Sequence, residues 1–182
     1  MNRELNGIER DIILTGFMGS GKTTIGKEMA RELERTFLDT DDLIEELTGK
    51  TIPQIFADEG EESFRQKETE AIKGLSRYSP GELVLSTGGG IVLREENVKM
   101  LRKRGIIVLL TASVEEILHR VKGSDRPLLQ KDNLRERIQE LLSSREPIYR
   151  EVSDFVVPTD GKTPWQVMEE IYAGVKEINP SE

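Results

Sequence analysis

The chain contains no cysteine and a single histidine, His119, in 182 residues. The first absence removes disulfides, thiol nucleophiles and cysteine-based zinc sites, and it suits a reducing compartment. The second leaves no histidine pair for a metal and disfavours a Ser-His-Asp triad. Long apolar runs are also missing. Nothing approaches the roughly 18 apolar residues that cross a bilayer, and the opening MNRELNGIERD has no apolar run of signal-peptide length. The sequence therefore predicts a soluble, cytoplasmic protein with no membrane partner. Bases are outnumbered by acids, 26 to 34, for a net charge of −8 and a pI near 5.0, the wrong sign for a nucleic-acid binder. There is no Gly/Ser linker, internal repeat or low-complexity tract. A chain of this length buries about 70% of its unfolded surface without staples, so one domain over residues 1–182 is expected, with a core at about 11–178.

What is present is an alternation of short Ile/Val/Leu-rich runs with longer stretches of helical period. That alternation marks βαβ units and a parallel sheet. Five strands are predicted, at Asp11–Thr15, Thr36–Asp39, Glu82–Thr87, Ile106–Leu110 and Asp154–Val157, giving an α/β fold of three layers, helices on both faces of a five-stranded parallel sheet. Over Lys22–Arg35, Ile25, Met29 and Leu33 recur every four residues and form a core face. Ser113 with Glu116 reads as a capping box, and Thr163-Pro164 as the start of the last helix. Trp165 is read as a packing residue and His119 as a helix-face residue. Residues 122–133, rich in Gly, Ser, Asp, Pro and Lys, form a loop long enough to be a lid.

The most specific local signal is Gly16-Phe17-Met18-Gly19-Ser20-Gly21-Lys22-Thr23, a match to G-x-x-x-x-G-K-[ST] between the run Ile12-Ile13-Leu14 and an amphipathic helix. Glycines allow successive backbone N–H groups to turn toward phosphates, and the helix N-terminus complements their charge. Gly19, Ser20, Gly21, Lys22, Thr23 and Thr24 are the candidate nucleotide-binding residues. Lys22 would reach the β- and γ-phosphates and Thr23 would place its hydroxyl on Mg²⁺, while Thr24 follows as helix interior with no separate role. Kinase, GTPase and motor all remain open on this motif alone.

Further acidic, basic and glycine-rich features narrow the choice. Asp39 and Asp41, at the carboxyl end of the second strand, lie at the ligand-binding edge of an open parallel sheet; in extended chain they point to one side. They could serve Mg²⁺ and an acceptor hydroxyl, or simply begin the next helix as caps, a role that suits Asp42 better. Helices are expected from Thr51 and again through Glu61–Glu68, where Arg65 and Glu68 at i,i+3 can meet on one face. The third strand ends in Gly88-Gly89-Gly90 instead of an acidic residue. Three glycines let a ligand approach the backbone, although a tight turn would use them too.

Taken in order, GFMGSGKTT, FLDTDD, GEESFRQKE, STGGG, the Arg126–Leu129 segment RPLL and the Arg145–Tyr149 segment REPIY resemble the shikimate kinase family, over about Asp11 to Ile178. The resemblance implies a P-loop kinase related in fold to nucleoside monophosphate kinases, with a substrate-binding segment at about 39–70 and a lid at about 122–133. It implies transfer of the ATP γ-phosphoryl to the 3-hydroxyl of shikimate. It places Arg65 and Arg145 on the shikimate carboxylate, Asp41 on its ring hydroxyls as candidate base, and the backbone of Gly88, Gly89 and Gly90 along the site. Asp39 would hold Mg²⁺ with Thr23, and Glu68 would orient Arg65. Lys22, Asp41 and Arg126 would be catalytic, Arg126 reaching the phosphates from the lid. Arg120 would stack on adenine, whose other side meets the loop Thr159–Pro164. The expected partners are ATP and shikimate, acting on a monomer. A sugar-acid kinase of the gluconate type shares the nucleotide half, and a nucleotide-dependent switch shares the P-loop; Arg65, Arg145, Asp41 and the triple glycine favour a carboxylated polyol.

Overall fold

A computed structural model describes residues 9–121 and 133–178. Five strands, β1 (Asp11–Thr15), β2 (Thr36–Asp39), β3 (Leu83–Ser86), β4 (Gly105–Thr111) and β5 (Phe155–Pro158), form one sheet in the order β2-β3-β1-β4-β5. Every pairing is parallel. Among the described residues seven α-helices connect and flank them: α1 (Lys22–Glu32), α2 (Thr40–Thr48), α3 (Ile52–Gly74), α4 (Glu95–Arg104), α5 (Val114–Val121), α6 (Leu134–Val152) and α7 (Pro164–Ile178).

Alternation along the strands decides which helices cover which face. Ile12 and Leu14 of β1, with Val84, Ile106 and Val108, turn to one face and meet Ile25 and Met29 of α1 and Val167 and Ile171 of α7. Ile13, Leu83, Leu85 and Ile107 turn to the other, where Leu43, Ile72 and Leu101 of α2, α3 and α4 pack. Leu109 continues that second face under α5 and α6, against Ile117, Ile138 and Tyr149. The expected layers are present, and β1 is buried along its whole length in the middle of the sheet.

Several local readings change. The first helix stops at Glu32, three residues short of the expected Arg35, because Leu33 caps it and Glu34 takes a left-handed φ of 54°; Leu33 still joins the core. Ser113 Oγ accepts from Glu116 N at 3.2 Å, but the reciprocal half of a capping box does not form. Asp160 accepts from Ser113 N instead, at 2.9 Å, while Glu116 pairs with Arg120. At α7 the box is complete, with Gln166 as the partner of Thr163. Trp165, expected to pack, is 43% exposed, outside the set Val167, Met168, Ile171, Tyr172 and Val175 that α7 buries.

The stretch from Thr51 forms the two expected helical segments, joined across a kink within α3. It opens with a Thr51–Gln54 capping box and bends at Gly60, whose φ of 81° and ψ of 175° are open to glycine at little cost. Ion pairs flank the bend: Lys50 meets Asp58 and Glu59 ahead of it, each at 3.0 Å, and Glu59 reaches across it to Lys67 at 2.9 Å. Beyond the bend, Phe64, Arg65 and Glu68 face the carboxyl edge of the sheet.

Candidate active site

The carboxyl ends of β1, β2 and β3 open into a cleft of about 650 Å³. Its floor is the glycine-rich loop between β1 and α1. Gly16, Gly19 and Gly21 take φ of 136°, 77° and 98°, which L-residues avoid, and Gly21 in this conformation is the N-cap of α1. The α1 N-terminus therefore points its unpaired amides at the cleft. Lys22 Nζ folds back to the loop, donating to the carbonyls of Gly16 at 2.8 Å and Phe17 at 3.0 Å. Gly19, Gly21, Thr23 and Thr24 line the cleft beside it. Ser20 does not; it is buried, with its hydroxyl beneath the loop.

Thr23 and Asp39 meet directly. Thr23 Oγ1 donates to Asp39 Oδ2 at 3.0 Å, and Asp39 Oδ1 accepts from Asp41 N at 3.0 Å. Asp39 is thus the N-cap of α2 as well as a cleft carboxylate. Asp39 and Asp41 share the site through this helical turn, since α2 begins at Thr40, and the extended geometry expected from the sequence does not apply. Asp42 lies in the same first turn. Burial and then the Asp39 carboxylate push its own carboxyl above the usual range. Among the described residues no three His, Asp or Glu side chains cluster as metal ligands. Mg²⁺ requires no such cluster where one carboxylate, a hydroxyl and phosphate oxygens can share it, and the Thr23–Asp39 pair is a donor set of that kind.

The far end of the cleft is cationic. Arg65 on α3 and Arg145 on α6 both line it. Arg65 Nη1 donates to Glu68 Oε2 at 2.8 Å and Nη2 to Glu61 Oε1 at 3.0 Å. The side chain of Glu68 is only 1% exposed; burial pushes its carboxyl up, and Arg65 opposes that push. For Arg65, burial works against the charge, but the two carboxylates outweigh it. The pair fixes the direction of the guanidinium, as the i,i+3 spacing suggested.

Between these ends runs the Gly88–Gly90 segment, and its glycines are required by space. None of the three has a left-handed φ. A Cβ on Gly88 would collide with Asp41 Oδ1, and one on Gly90 with the Arg65 guanidinium. A Cβ on Gly89 would lie 3.2 Å from Tyr149 Oη. The glycines thus admit protein side chains from three separate elements as well as leaving backbone bare to the cleft. Thr40 Oγ1 accepts from Gly88 N at 2.7 Å and ties the start of α2 to this wall. Sequence reasoning passed over Thr40 and Tyr149, and also the apolar lining from Ile52, Pro53, Phe56 and Phe64. Phe56 and Phe64 stand 4.6 Å apart, centroid to centroid.

At the nucleotide end, Arg120 of α5 donates to the carbonyl of Gly19 at 3.0 Å, to Thr159 Oγ1 at 2.9 Å and to the Thr159 carbonyl at 3.1 Å. It connects the glycine-rich loop with the loop after β5. Arg126 and the segment 122–132 lie outside the described residues.

A P-loop, a parallel sheet flanked on both faces, and a cleft running from the loop to a pair of arginines define a phosphotransferase of the P-loop kinase class. A family model described as shikimate kinase matches residues 18–176. The shikimate kinase of Thermodesulfovibrio yellowstonii is 47% identical over 163 residues, 89% of this chain and 92% of that protein. That of Caldanaerobacter subterraneus is 45% identical over 163 residues, 89% and 94% of the two chains. Among solved structures, shikimate kinase from Acinetobacter baumannii in complex with shikimate is 38% identical, with a TM-score of 0.89 over 97% of this chain and 98% of that one. The chain belongs to the shikimate kinase family.

Proposed function

We propose that the chain is one kinase domain that transfers the γ-phosphoryl group of ATP to the 3-hydroxyl of shikimate, giving shikimate 3-phosphate. The observation that carries this reading is the cleft itself: the Thr23–Asp39 pair and Lys22 stand at one end, Arg65 and Arg145 at the other. Phosphoryl transfer depends on positioning and electrostatics more than on covalent participation by the protein. Shikimate offers a carboxylate for two guanidinium forks, and its reacting hydroxyl lies on another part of the ring. Gripping the carboxylate between Arg65 and Arg145 leaves that hydroxyl to face the P-loop.

In this reading Lys22 exchanges its loop carbonyls for the β- and γ-phosphate oxygens, and the backbone of Gly19, Ser20 and Gly21 cradles the phosphates, with Thr24 flanking them. Thr23 and Asp39 hold Mg²⁺, which when bound neutralises phosphate charge. Asp41 accepts a hydrogen bond from the ring hydroxyls and serves as base, Glu68 aims Arg65, and the backbone of Gly88, Gly89 and Gly90 lines the acceptor. Arg120 and the loop Thr159–Pro164 bracket adenine. Arg126 is assigned to the phosphates from sequence alone. A cytoplasmic monomer with no nucleic-acid or membrane partner completes the reading; the net charge of −8 speaks against nucleic acid, and among the described residues no helix is long and apolar enough to cross a membrane.

A coupled assay tests the whole assignment. ADP release should require shikimate, ATP and Mg²⁺ together, and omission of any one should abolish it. Turnover with gluconate and none with shikimate would assign the cleft to a sugar acid instead.

The glycine wall gives a sharper check. Gly90→Ala should leave the fold intact, because the obstructing atoms are the far end of a flexible side chain. Arg65 would then have to leave its place. The KM for shikimate should rise at least about tenfold, the equivalent of about 1.4 kcal/mol, while the KM for ATP stays within about twofold. A shikimate KM equal to that of the parent enzyme would separate Arg65 from the acceptor.

A further inference from the structure

Among the described residues Tyr149 is the largest fully buried side chain, 1% exposed, in an element that otherwise contributes aliphatic residues to the core. Its ring belongs to the core cluster that also holds Phe17, Val92 and Leu109. Its hydroxyl does not end in the core. It donates to the carbonyl of Gly89 at 2.6 Å, a bond between groups 60 residues apart. Gly89 is the middle residue of the glycine wall, and it faces Arg145 as well as Tyr149: a Cβ there would lie 3.7 Å from Arg145 Nη1. Arg145 and Tyr149 are four residues apart on α6 and share a helix face. Burial pushes the Tyr149 hydroxyl above its ordinary range, against the neighbouring Arg145 charge. It therefore keeps its proton, and remains a donor, throughout the pH range of an assay.

A buried hydroxyl that bonds a cleft-lining carbonyl does more than satisfy itself. The wall belongs to the β3 side of the cleft and is already tied to α2 through Thr40, whereas Arg145 rides on α6. The Tyr149–Gly89 bond closes the remaining gap between these bodies. We propose that Tyr149 is a positioning residue for the acceptor half of the site: its hydroxyl fixes the Gly89 carbonyl to helix α6, and so sets Arg145 at a defined distance from the glycine wall and from Arg65. Tyr149 does not touch the substrate in this scheme. It acts through Arg145 and Gly89, as groups behind a binding residue commonly do. This inference rests on the assignment of Arg145 to the substrate carboxylate.

Tyr149→Phe tests it, because the ring volume is kept and only the hydroxyl is lost. The Gly89 carbonyl is then left without its buried donor. The KM for shikimate should rise about tenfold, with the KM for ATP within about twofold and kcat within about threefold. Equal rises in both KM values, or an unchanged KM for shikimate, would overturn the proposal, since a purely structural hydroxyl predicts the first and an idle one the second. Because the effect passes through Arg145, adding Tyr149→Phe to Arg145→Ala should change the shikimate KM by less than about twofold; full additivity would also overturn it. If Tyr149→Phe fails to fold, Gly89→Ala reads the same coupling from the other side. Its Cβ would press on Tyr149 Oη at 3.2 Å and should raise the shikimate KM selectively; no selective rise would count against the proposal. Failure of the underlying assignment has a separate signature: Arg145→Ala itself would then leave the shikimate KM unchanged.

Discussion

Arg145→Ala should raise the KM for shikimate by about two orders of magnitude and leave the KM for ATP within about twofold. Truncating one partner of a desolvated, hydrogen-bonded charge pair costs about 2–5 kcal/mol, and the middle of that range corresponds to a few hundredfold. The expectation is specific to Arg145 because of how the two cleft arginines differ. Arg65 already has two carboxylates, Glu68 at 2.8 Å and Glu61 at 3.0 Å. Among the described residues no acidic side chain lies within ion-pair distance of Arg145, so a substrate carboxylate would be its main anionic partner. Arg65→Ala has a second consequence that Arg145→Ala lacks. It strands Glu68, a buried carboxylate, and breaking such a pair from one side typically costs about 3–5 kcal/mol of stability. The two variants should therefore separate in a thermal melt: Arg65→Ala loses stability and shikimate affinity together, Arg145→Ala loses affinity alone. Steady-state kinetics with each substrate varied in turn decides the matter. Equal losses for ATP and shikimate would remove Arg145 from the carboxylate.

The parts of this site that were legible in the sequence are those whose chemistry is local. The P-loop is eight consecutive residues with an obligatory strand before and helix after, and both were in place. The strand bounds of β1 and β2 match the reading: β1 is a fully buried apolar run ahead of the glycine-rich loop, and β2, only partly buried, ends where Asp39 caps the next helix. Arg65 and Glu68 lie on one helix, so their spacing alone announced the contact. Information held between distant segments was not legible. The triple glycine advertised open backbone, but its spacing could not show that Asp41, Tyr149 and Arg65 would occupy the room it leaves. Asp160 displaces Glu116 at the α5 cap from 47 residues away, and no local pattern contains that competition. The net charge of −8 likewise says nothing of the arrangement inside the cleft, where Lys22, Arg65, Arg120 and Arg145 converge and Asp39, Asp41, Asp42, Glu45 and Glu68 line the same space.

Asp41→Asn should lower kcat by about 10²-fold and change neither KM by more than about threefold, and Asp41→Ala should lower kcat by about tenfold more. A positioned base contributes roughly 10²–10⁴-fold in general, but a loose phosphoryl-transfer transition state asks for little proton removal early in the reaction. The setting of Asp41 favours orientation as its larger part. It occupies the first turn of α2, behind the Asp39 cap, where the positive end of the helix complements a negative charge by about 0.3–1 kcal/mol. Thr40 beside it is fully buried and bonded to Gly88, so the carboxylate is held against the glycine wall by its own backbone. A group fixed in this way is suited to accepting a hydrogen bond and holding the acceptor oxygen in line. Asparagine keeps an acceptor oxygen and loses the charge; alanine loses both. If orientation dominates, the two variants differ, with asparagine retaining part of the rate. If proton removal dominates, they fall together by the full 10²–10⁴. Single-turnover measurements, which isolate the chemical step from product release, distinguish the two, and an asparagine variant within threefold of the parent enzyme would take Asp41 out of the mechanism.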